Sequence, residues 1–312
     1  MRSGCGGFNM RYPIDKELHS LYLHKLPEKV RLFSVMNGIL QMYKCESDEK
    51  VTVTVHEIPG YQNEMIKTYV IEPKNVDKEL PCLVFFHGGG FLLKASEAHY
   101  QIAKEYAERI PCKVVLTDYR LAPKYPFPVP VEDCYFTYKW VLDHVDMLGI
   151  NKNKIMIGGD SAGGNLATAV TLMARDRQLS VPKTLLLIYP ATDRRMVTES
   201  MKKYTDTPVW NAKLSKMMWD AYLGEQIPEH IEYASPIESS SFEGFPPTYM
   251  EVAEFDCLRD EGILLYERLK DENIEVEFHE IKNACHGFET AVGSSITREC
   301  INRRVNWFQK II

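Results

Sequence analysis

A serine lies at the centre of a glycine-rich stretch, residues 158–164, which read Gly-Gly-Asp-Ser-Ala-Gly-Gly. An apolar run that predicts a short strand precedes it, and a helix is predicted from Ala162 to about Asp176. The five central residues fit the Gly-x-Ser-x-Gly turn between a strand and a helix, which exposes the serine hydroxyl as a nucleophile. The backbone N–H of Ala162 has no partner within the helix, so it is a candidate donor to an oxyanion formed at Ser161.

A glycine-rich turn between a strand and a helix also suits a phosphate group, because its backbone N–H groups favour an anion. The sequence lacks the Lys-Ser/Thr pair that follows the glycines of phosphate-binding loops, and it lacks the Gly-x-Gly-x-x-Gly spacing of dinucleotide sites. The turn by itself does not decide between the two interpretations, so the decision rests on residues elsewhere in the chain.

Three consecutive glycines follow another predicted strand, in His87-Gly88-Gly89-Gly90-Phe91. Glycines directly after a strand let backbone N–H groups approach a ligand without obstruction from side chains. In serine hydrolases such a loop forms the second half of an oxyanion hole. A flexible loop is the alternative, and His87 itself is expected to fix the loop by a hydrogen bond.

A serine nucleophile needs a general base and a carboxylate that orients the base. Among the nine histidines, His286 is the best candidate for the base, because it lies in a loop just after a predicted strand. Asp256 follows the preceding predicted strand and is the candidate acid, with Glu254 and Asp260 as alternatives. Open α/β sheets place their sites at such strand ends, so we expect Ser161, Asp256 and His286 to meet.

Eight apolar runs predict the strands that position these residues. The first two alternate with polar residues, which predicts an antiparallel pair, and the other six are nearly continuous and separated by helices, which is typical of buried parallel strands. The runs are Val51–Ile58, Ile66–Ile71, Cys82–Phe86, Val114–Thr117, Ile155–Ile157, Leu185–Ile188, Thr248–Val252 and Val276–Ile281. We therefore predict an α/β protein with the α/β-hydrolase fold, an eight-stranded, mostly parallel sheet flanked by helices, with a helical cap.

Two segments fall outside this pattern and are predicted to form the cap. Residues 1–48 contain helix-period apolar positions on both sides of Pro27, which predict two helices. Residues 194–235 occupy an unusually long gap between two strands and contain an amphipathic stretch. The catalytic domain is accordingly expected in residues 49–193 and 236–312.

Together these motifs resemble the hormone-sensitive-lipase family of carboxylesterases. The similar stretches are Gly158–Gly164, His87–Phe91, Asp118–Pro123, Tyr125–Pro128 and Asp256–Gly262, in which Cys257 replaces a proline. The resemblance runs from about residue 50 to about residue 290, and it implies hydrolysis of short acyl esters without a cofactor or a metal. The site residues that it implies are a Ser161–His286–Asp256 triad and an oxyanion hole formed by Gly88, Gly89, Gly90 and Ala162.

We expect the two cap segments to cover the nucleophile and to line an acyl pocket, since their apolar side chains and adaptable methionines suit an acyl chain. The residues assigned to the pocket are Phe91, Asp160, Trp210, Met217, Met218, Tyr222 and Phe288. The alternative is that most of these side chains simply pack the cap onto the sheet. A covered pocket limits chain length, so we expect the specificity constant to peak at acyl chains of about two to six carbons.

The composition argues against several other classes of protein. The chain has 312 residues and a formal net charge of −6 with no basic run, so we expect no nucleic-acid partner. No apolar run approaches the ~20 residues of a membrane span, and residues 1–10 lack an apolar signal core, so we expect a cytoplasmic protein with no membrane partner. The eight scattered cysteines contain no Cys-x-x-Cys pair, which argues against disulfides and a zinc site. A homodimer stays open.

Two classes of function remain. The leading hypothesis is a serine carboxylesterase that hydrolyses short- to medium-chain acyl esters, with a small-molecule ester as its partner. Within enzymes, the alternative is a deacetylase of sugar or small-molecule acetyl esters, or an amide hydrolase. The other class is a hydrolase-like receptor that binds a ligand without turnover. Such a receptor is expected to lack part of the triad, and all three residues are present here, so catalysis is favoured.

Overall fold

The structure, a computed structural model, describes residues 11–76, 79–225 and 227–312. Within these residues one sheet contains eight strands, and each of the eight predicted runs lies in one of them. The strands are β1 (Val51–Pro59), β2 (Met65–Pro73), β3 (Leu80–Phe86), β4 (Lys113–Thr117), β5 (Ile150–Asp160), β6 (Leu185–Ile188), β7 (Thr248–Phe255) and β8 (Val276–Cys285). Their order is β1-β2-β4-β3-β5-β6-β7-β8. β2 runs antiparallel to β1 and β4, and all other neighbours are parallel, so the predicted fold class is confirmed.

Helices flank this sheet and connect its parallel strands. The α-helices are α1 (Phe33–Leu40), α2 (Glu97–Arg109), α3 (Val129–Asp143), α4 (Val145–Leu148), α5 (Ala162–Asp176), α6 (Glu199–Lys203), α7 (Ala212–Leu223), α8 (Arg259–Asp271) and α9 (Ser295–Ile311). Short 3-10 helices span Lys16–Leu23, Val30–Leu32, Tyr61–Asn63, Ile231–Tyr233, Pro236–Glu238 and Phe288–Thr290.

The unit of β5 and α5 lies in the middle of the fold. β5 pairs with β3 on one side and with β6 on the other, and α5 is buried from Ala162 to Ala174. The helix tolerates this burial because Thr168 and Thr171 each donate a hydrogen bond of 2.9 Å to a backbone carbonyl one turn earlier. The predicted bounds of this helix, Ala162 and Asp176, are confirmed.

β8 lies at the edge of the sheet and pairs with β7 alone among the described strands. The pairing register shifts between Ala253 and Phe255, and the last pair joins Phe255 to Cys285. Further contacts hold the end of β8, where the Asn283 backbone N–H donates to Glu254 Oε2 at 2.8 Å. The strand that leads into the following loop is therefore paired on one side only, although Ala284, Cys285 and Phe288 are buried.

The segment before β1 contains a helix on each side of Pro27, and the first is a 3-10 helix rather than an α-helix. Its buried residues Leu18 and Leu21 are three positions apart, a spacing that a helix of three residues per turn places on one side. Residues 1–10 of the predicted cap lie outside the described residues, and the division into cap and catalytic domain stays a prediction. No helix in the described ranges has both the length and the apolar character to cross a bilayer.

Candidate active site

Ser161 occupies a strained turn between β5 and α5. Its backbone has φ 56° and ψ −118°, a conformation that an L-residue adopts only where the surroundings hold it there. The Ser161 N–H donates to the Ile188 carbonyl at 2.8 Å, which ties the turn to the end of β6. Gly163 permits the close approach, because a Cβ at that position would overlap the Phe86 carbonyl oxygen. The turn therefore has the backbone geometry that a nucleophile elbow requires, as the glycine spacing predicts.

The structure brings the three predicted triad residues together in one chain of hydrogen bonds. His286 Nε2 lies 2.9 Å from Ser161 Oγ, and His286 Nδ1 lies 2.7 Å from Asp256 Oδ2. All three side chains are buried, and they follow β5, β7 and β8. A carboxylate accepts hydrogen bonds, so Nδ1 carries the proton and Nε2 is free to accept one from the serine.

The alternative acids are engaged elsewhere. Glu254 accepts the Asn283 backbone N–H, and Asp260 accepts the Ser200 backbone N–H at 2.7 Å. The second oxygen of Asp256 accepts the Leu258 backbone N–H at 2.9 Å, so both of its oxygens have defined partners. Of the three candidates, only Asp256 contacts the histidine.

The glycine loop after β3 contributes two free backbone donors rather than three. The Gly88 N–H donates to Asp160 Oδ1 at 2.9 Å and is not available to a substrate, which contradicts its assignment to the oxyanion hole. Among the described residues, none accepts a hydrogen bond from the backbone N–H of Gly89, Gly90 or Ala162. These three groups remain the candidate donors.

His87 fixes the glycine loop, as expected. Its Nδ1 donates to the Gly88 carbonyl at 2.8 Å, and its ring stacks on Tyr119 with 4.5 Å between centroids. Tyr119 also donates its hydroxyl to the His87 carbonyl at 2.8 Å. Burial, together with the nearby His99, lowers the pKa of His87 to about 4, so this ring is neutral at physiological pH.

His99 is a residue that the sequence analysis missed. Its Nε2 lies 3.3 Å from Asp160 Oδ2, and its Nδ1 accepts the Ser96 backbone N–H at the start of α2. Burial raises the pKa of Asp160, but His99 and the Gly88 N–H outweigh it and leave the pKa lowered. Burial likewise lowers the pKa of His99, and Asp160 outweighs it in the opposite direction. Only the Ser-x-x-His spacing at the helix start marks His99 in the sequence, and it does not indicate contact with Asp160.

A cavity of about 640 Å³ extends over Ser161 and His286. Its apolar walls come mainly from the segment before β1, from α2 and from the region before α7. They include Leu26, Met36, Leu40, Leu93, Ile102, Val209 and Trp210. The indole of Trp210 also lies against Gly90, where a Cβ would overlap it. Two of the predicted pocket residues, Asp160 and Trp210, line this cavity.

The other five predicted pocket residues do not line the cavity, and those expectations are corrected. Phe91 stacks on Tyr222 with 3.8 Å between ring centroids, and Phe288 packs edge-on against Tyr189 at 5.7 Å. Met218 is buried in the core, and Met217 is half-buried and packs against it. These side chains face other protein elements, which is the alternative that the sequence analysis left open.

Part of the cavity wall is polar. Tyr189 donates its hydroxyl to Glu289 Oε2 at 2.6 Å, and the Tyr189 ring lies 4.5 Å from the ring of His286. Arg304 of α9 contacts both Glu289 and Glu251, and all three are buried. Burial raises the pKa of Glu289, although the Arg304 guanidinium acts in the opposite direction. No group of three His, Cys, Asp or Glu side chains in the described ranges is arranged to hold a metal ion.

Comparison with known proteins shows which class of protein the chain is similar to. A family model described as the alpha/beta hydrolase fold matches residues 83–290. Esterase LipI of Mycobacterium tuberculosis is 34% identical over 212 residues, which are 67% of this chain and 66% of LipI, just under two-thirds of its length. Arylacetamide deacetylase of Bos taurus is 28% identical, with 93% of this chain and 86% of that protein aligned. A solved Pyrobaculum calidifontis esterase has a TM-score of 0.85 at 32% identity, covering 96% of this chain and 100% of its own.

The matched model covers more than half of the chain, and both LipI and the Pyrobaculum calidifontis protein are esterases. The chain belongs to the hormone-sensitive-lipase family of α/β hydrolases. It is a carboxylic ester hydrolase.

Proposed function

We propose that this ester hydrolase acts on short- to medium-chain acyl esters through a covalent acyl-enzyme on Ser161. The observation that carries the proposal is the hydrogen-bond chain from Ser161 Oγ through His286 to Asp256. Ser161 Oγ attacks the ester carbonyl carbon while His286 Nε2 takes the hydroxyl proton. His286 then passes that proton to the leaving alcohol, and Asp256 stabilises the imidazolium.

The second half of the reaction uses the same groups. A water molecule loses a proton to His286 and attacks the acyl carbon, and Ser161 leaves with the proton that His286 returns. The tetrahedral oxyanion of each half accepts hydrogen bonds from the N–H groups of Gly89, Gly90 and Ala162. Removing one such donor typically costs about 100-fold to 1000-fold in kcat, so these groups account for a large part of the rate.

The cavity sets the acyl chain length in this proposal. Met36 and Leu40 of α1 line its wall, and Trp210 lies against Gly90 of the glycine loop after β3, the proposed oxyanion loop. Each methylene that fits gains about 0.8 kcal/mol of burial, or roughly fourfold in kcat/KM, until the chain reaches the wall. We expect kcat/KM to peak at about two to six acyl carbons and then to fall steeply.

A fluorophosphonate probe tests the nucleophile. We expect one adduct, mapped by mass spectrometry to Ser161, and no adduct in Ser161→Ala. The Ser239→Ala protein is the matched control, because Ser239 is buried outside the cavity, and it should react like the wild type. Retention of a tenth of wild-type turnover in folded Ser161→Ala would exclude the assignment.

A p-nitrophenyl ester series from two to twelve acyl carbons tests the cavity. Leu40→Trp should shift the optimum to shorter chains, because the larger ring fills space at the wall. Val35→Trp lies on the exposed side of the same helix and should leave the optimum unchanged. A wild-type profile that still rises at twelve carbons would contradict an acyl pocket that ends at Met36 and Leu40.

The proposal also covers the compartment and the partner of the protein. We place the protein in the cytoplasm. The seven described cysteines are free and buried, which suits a reducing cytoplasm. The proposed partner is a small-molecule ester. A deacetylase or amide hydrolase is less favoured, because the identity to arylacetamide deacetylase is 28% against 34% to Esterase LipI. The complete triad argues against a receptor without turnover.

A further inference from the structure

Exposed apolar side chains concentrate in the segment before β1. Six of the twelve large exposed apolar side chains in the described chain lie in residues 23–43. Four of them form what we call the apolar stripe, which comprises Leu32, Val35, Ile39 and Met42. Their spacings of three, four and three residues place them on one face of α1 and its flanking turns.

The opposite face of α1 is already used. Phe33 is buried, and Met36 and Leu40 line the cavity over Ser161. Asn37 donates to the Leu92 carbonyl at 2.8 Å and accepts the Lys94 N–H at 2.9 Å, which fixes the helix against the segment after the oxyanion loop. The helix therefore cannot rotate to bury the stripe without losing these contacts.

Basic residues precede and follow the stripe in the sequence. Residues 23–44 contain Lys25, Lys29, Arg31 and Lys44 against a single acidic residue, Glu28, which is a net charge of +3 in a chain whose formal net charge is −6. The four basic side chains are exposed, and none forms an ion pair with an acidic residue in the described ranges. Exposed apolar side chains with basic neighbours are the pattern of a helix that lies in the plane of a lipid interface.

We propose that the apolar stripe and its basic neighbours dock this protein on an anionic lipid bilayer. The stripe enters the boundary between headgroups and acyl chains, and Lys25, Lys29, Arg31 and Lys44 contact lipid phosphates. A peripheral contact of this kind needs no membrane-spanning helix, which is the only kind of membrane partner that the sequence analysis considered.

A second copy of the chain is a weaker candidate for the same face. A two-fold contact would bring two copies of a segment of net charge +3 together, whereas an anionic bilayer is complementary to both the charge and the apolar side chains. The cavity also reaches the surface on this side, because the exposed residues Leu23 and Tyr43 belong to its lining. Docking therefore holds the cavity beside the lipid. The proposal does not depend on the acyl preference or on the triad.

Co-sedimentation of the full-length protein with vesicles tests the proposal. The vesicles contain either phosphatidylcholine alone or phosphatidylcholine with 30% phosphatidylglycerol. We expect binding to the anionic vesicles at low salt, at least tenfold stronger than to the neutral ones, and a loss of most of the binding at 0.5 M NaCl.

Two pairs of variants assign the binding to this face. Val35→Glu/Ile39→Glu should weaken binding at least tenfold, while Met147→Glu/Val197→Glu should not, although their exposures match at 62% and 56% against 62% and 57%. Lys29→Glu/Arg31→Glu should weaken binding roughly twentyfold or more, on the order of fivefold for each charge removed.

Lys202→Glu/Lys216→Glu is the control for the charge variant, since it alters the net charge equally and both ammonium groups are exposed. Hydrolysis of p-nitrophenyl acetate, which is water-soluble, should stay at the wild-type level in every folded variant. If the Glu pair in the stripe prevents folding, the charge pair still decides the question.

Three results would overturn the proposal. One is wild-type protein that stays in the supernatant with anionic vesicles. Another is binding that the stripe and charge variants leave unchanged. The third is a wild-type dimer in analytical ultracentrifugation that Val35→Glu converts to a monomer, because the face then belongs to a second copy.

Discussion

Replacing Asp256 by asparagine keeps the size of the side chain but removes its charge and one of its two acceptor oxygens. The carboxylate has two partners in the structure, since Oδ2 accepts from His286 Nδ1 at 2.7 Å and Oδ1 accepts from the Leu258 N–H at 2.9 Å. An asparagine has only one acceptor oxygen at this position, and its NH₂ group must face one of the two partners. If it faces Leu258, two buried donors meet, at a cost of about 1–3 kcal/mol.

If the NH₂ group faces His286 instead, the imidazole moves its proton to Nε2 and Nδ1 becomes an acceptor. This second arrangement avoids the buried donor pair, so we expect it to prevail. Nε2 then cannot accept the Ser161 proton, and in a serine protease the same tautomer error costs about 10⁴ in kcat. A factor of 10⁴ corresponds to about 5.4 kcal/mol of transition-state stabilisation.

Steady-state hydrolysis of p-nitrophenyl butyrate at pH 7.5 measures the effect. We expect kcat of Asp256→Asn to fall about 10⁴-fold with KM nearly unchanged, because Asp256 is not among the residues that line the cavity. Asp260→Asn is the control, since the Asp260 carboxylate contacts the Ser200 backbone and Arg259 and does not contact His286. A variant that keeps more than a hundredth of wild-type kcat while losing stability would show that the amide faces Leu258, and it would refute this reasoning.

Three further outcomes are expected. Gly90→Ala should lower kcat about 100-fold, because at φ 62° its methyl group meets the Trp210 indole. Gly224→Ala is the control, because Gly224 has φ 67° and open space around it, so this change should lower stability but not kcat. Equal kcat in the two variants would contradict the contact with Trp210. Folding lowers the pKa of His87 from 6.5 to about 4. Between these two pH values the unfolded chain therefore binds a proton that the folded chain does not bind. His87 alone should therefore lower the free energy of unfolding by about 3 kcal/mol between pH 7 and pH 4, and urea titrations should show a flatter pH dependence in His87→Gln than in the wild type. Burial raises the pKa of Cys285 to about 12, so iodoacetamide at pH 8 should label it about 1000-fold more slowly than a thiol of pKa 9.0. Complete labelling of the native protein within minutes, mapped by mass spectrometry, would contradict that burial.

The strands and the elbow could be predicted from the sequence because their signals are local. A run of apolar residues between turns indicates a buried strand, and the five residues of the elbow carry their own backbone requirement. The same locality predicted the start of α5 at Ala162. The 3-10 helix Lys16–Leu23 escaped prediction because its apolar spacing also fits an α-helix.

The pocket and the oxyanion loop could not be predicted to the same depth, because they depend on distant contacts. The sequence shows that Phe91 and Tyr222 are aromatic. It does not show that their rings stack on each other, so that other residues line the cavity. Three glycines in a row do not reveal which backbone N–H is already bonded. That depends on the Asp160 carboxylate, which is 72 positions away from Gly88.

The edge position of β8 has a consequence for how the enzyme fails on heating. Ser161 and Asp256 follow strands that have neighbours on both sides, whereas His286 follows a strand that has a neighbour on one side. Edge elements open locally at a lower free energy than the centre of a sheet. Inactivation should therefore precede unfolding, so that activity disappears while the circular dichroism of the sheet and helices is still intact, and cooling restores it. The temperature at which catalysis is lost therefore depends on the stability of β8, whereas the temperature at which the protein unfolds depends on the stability of the other seven strands.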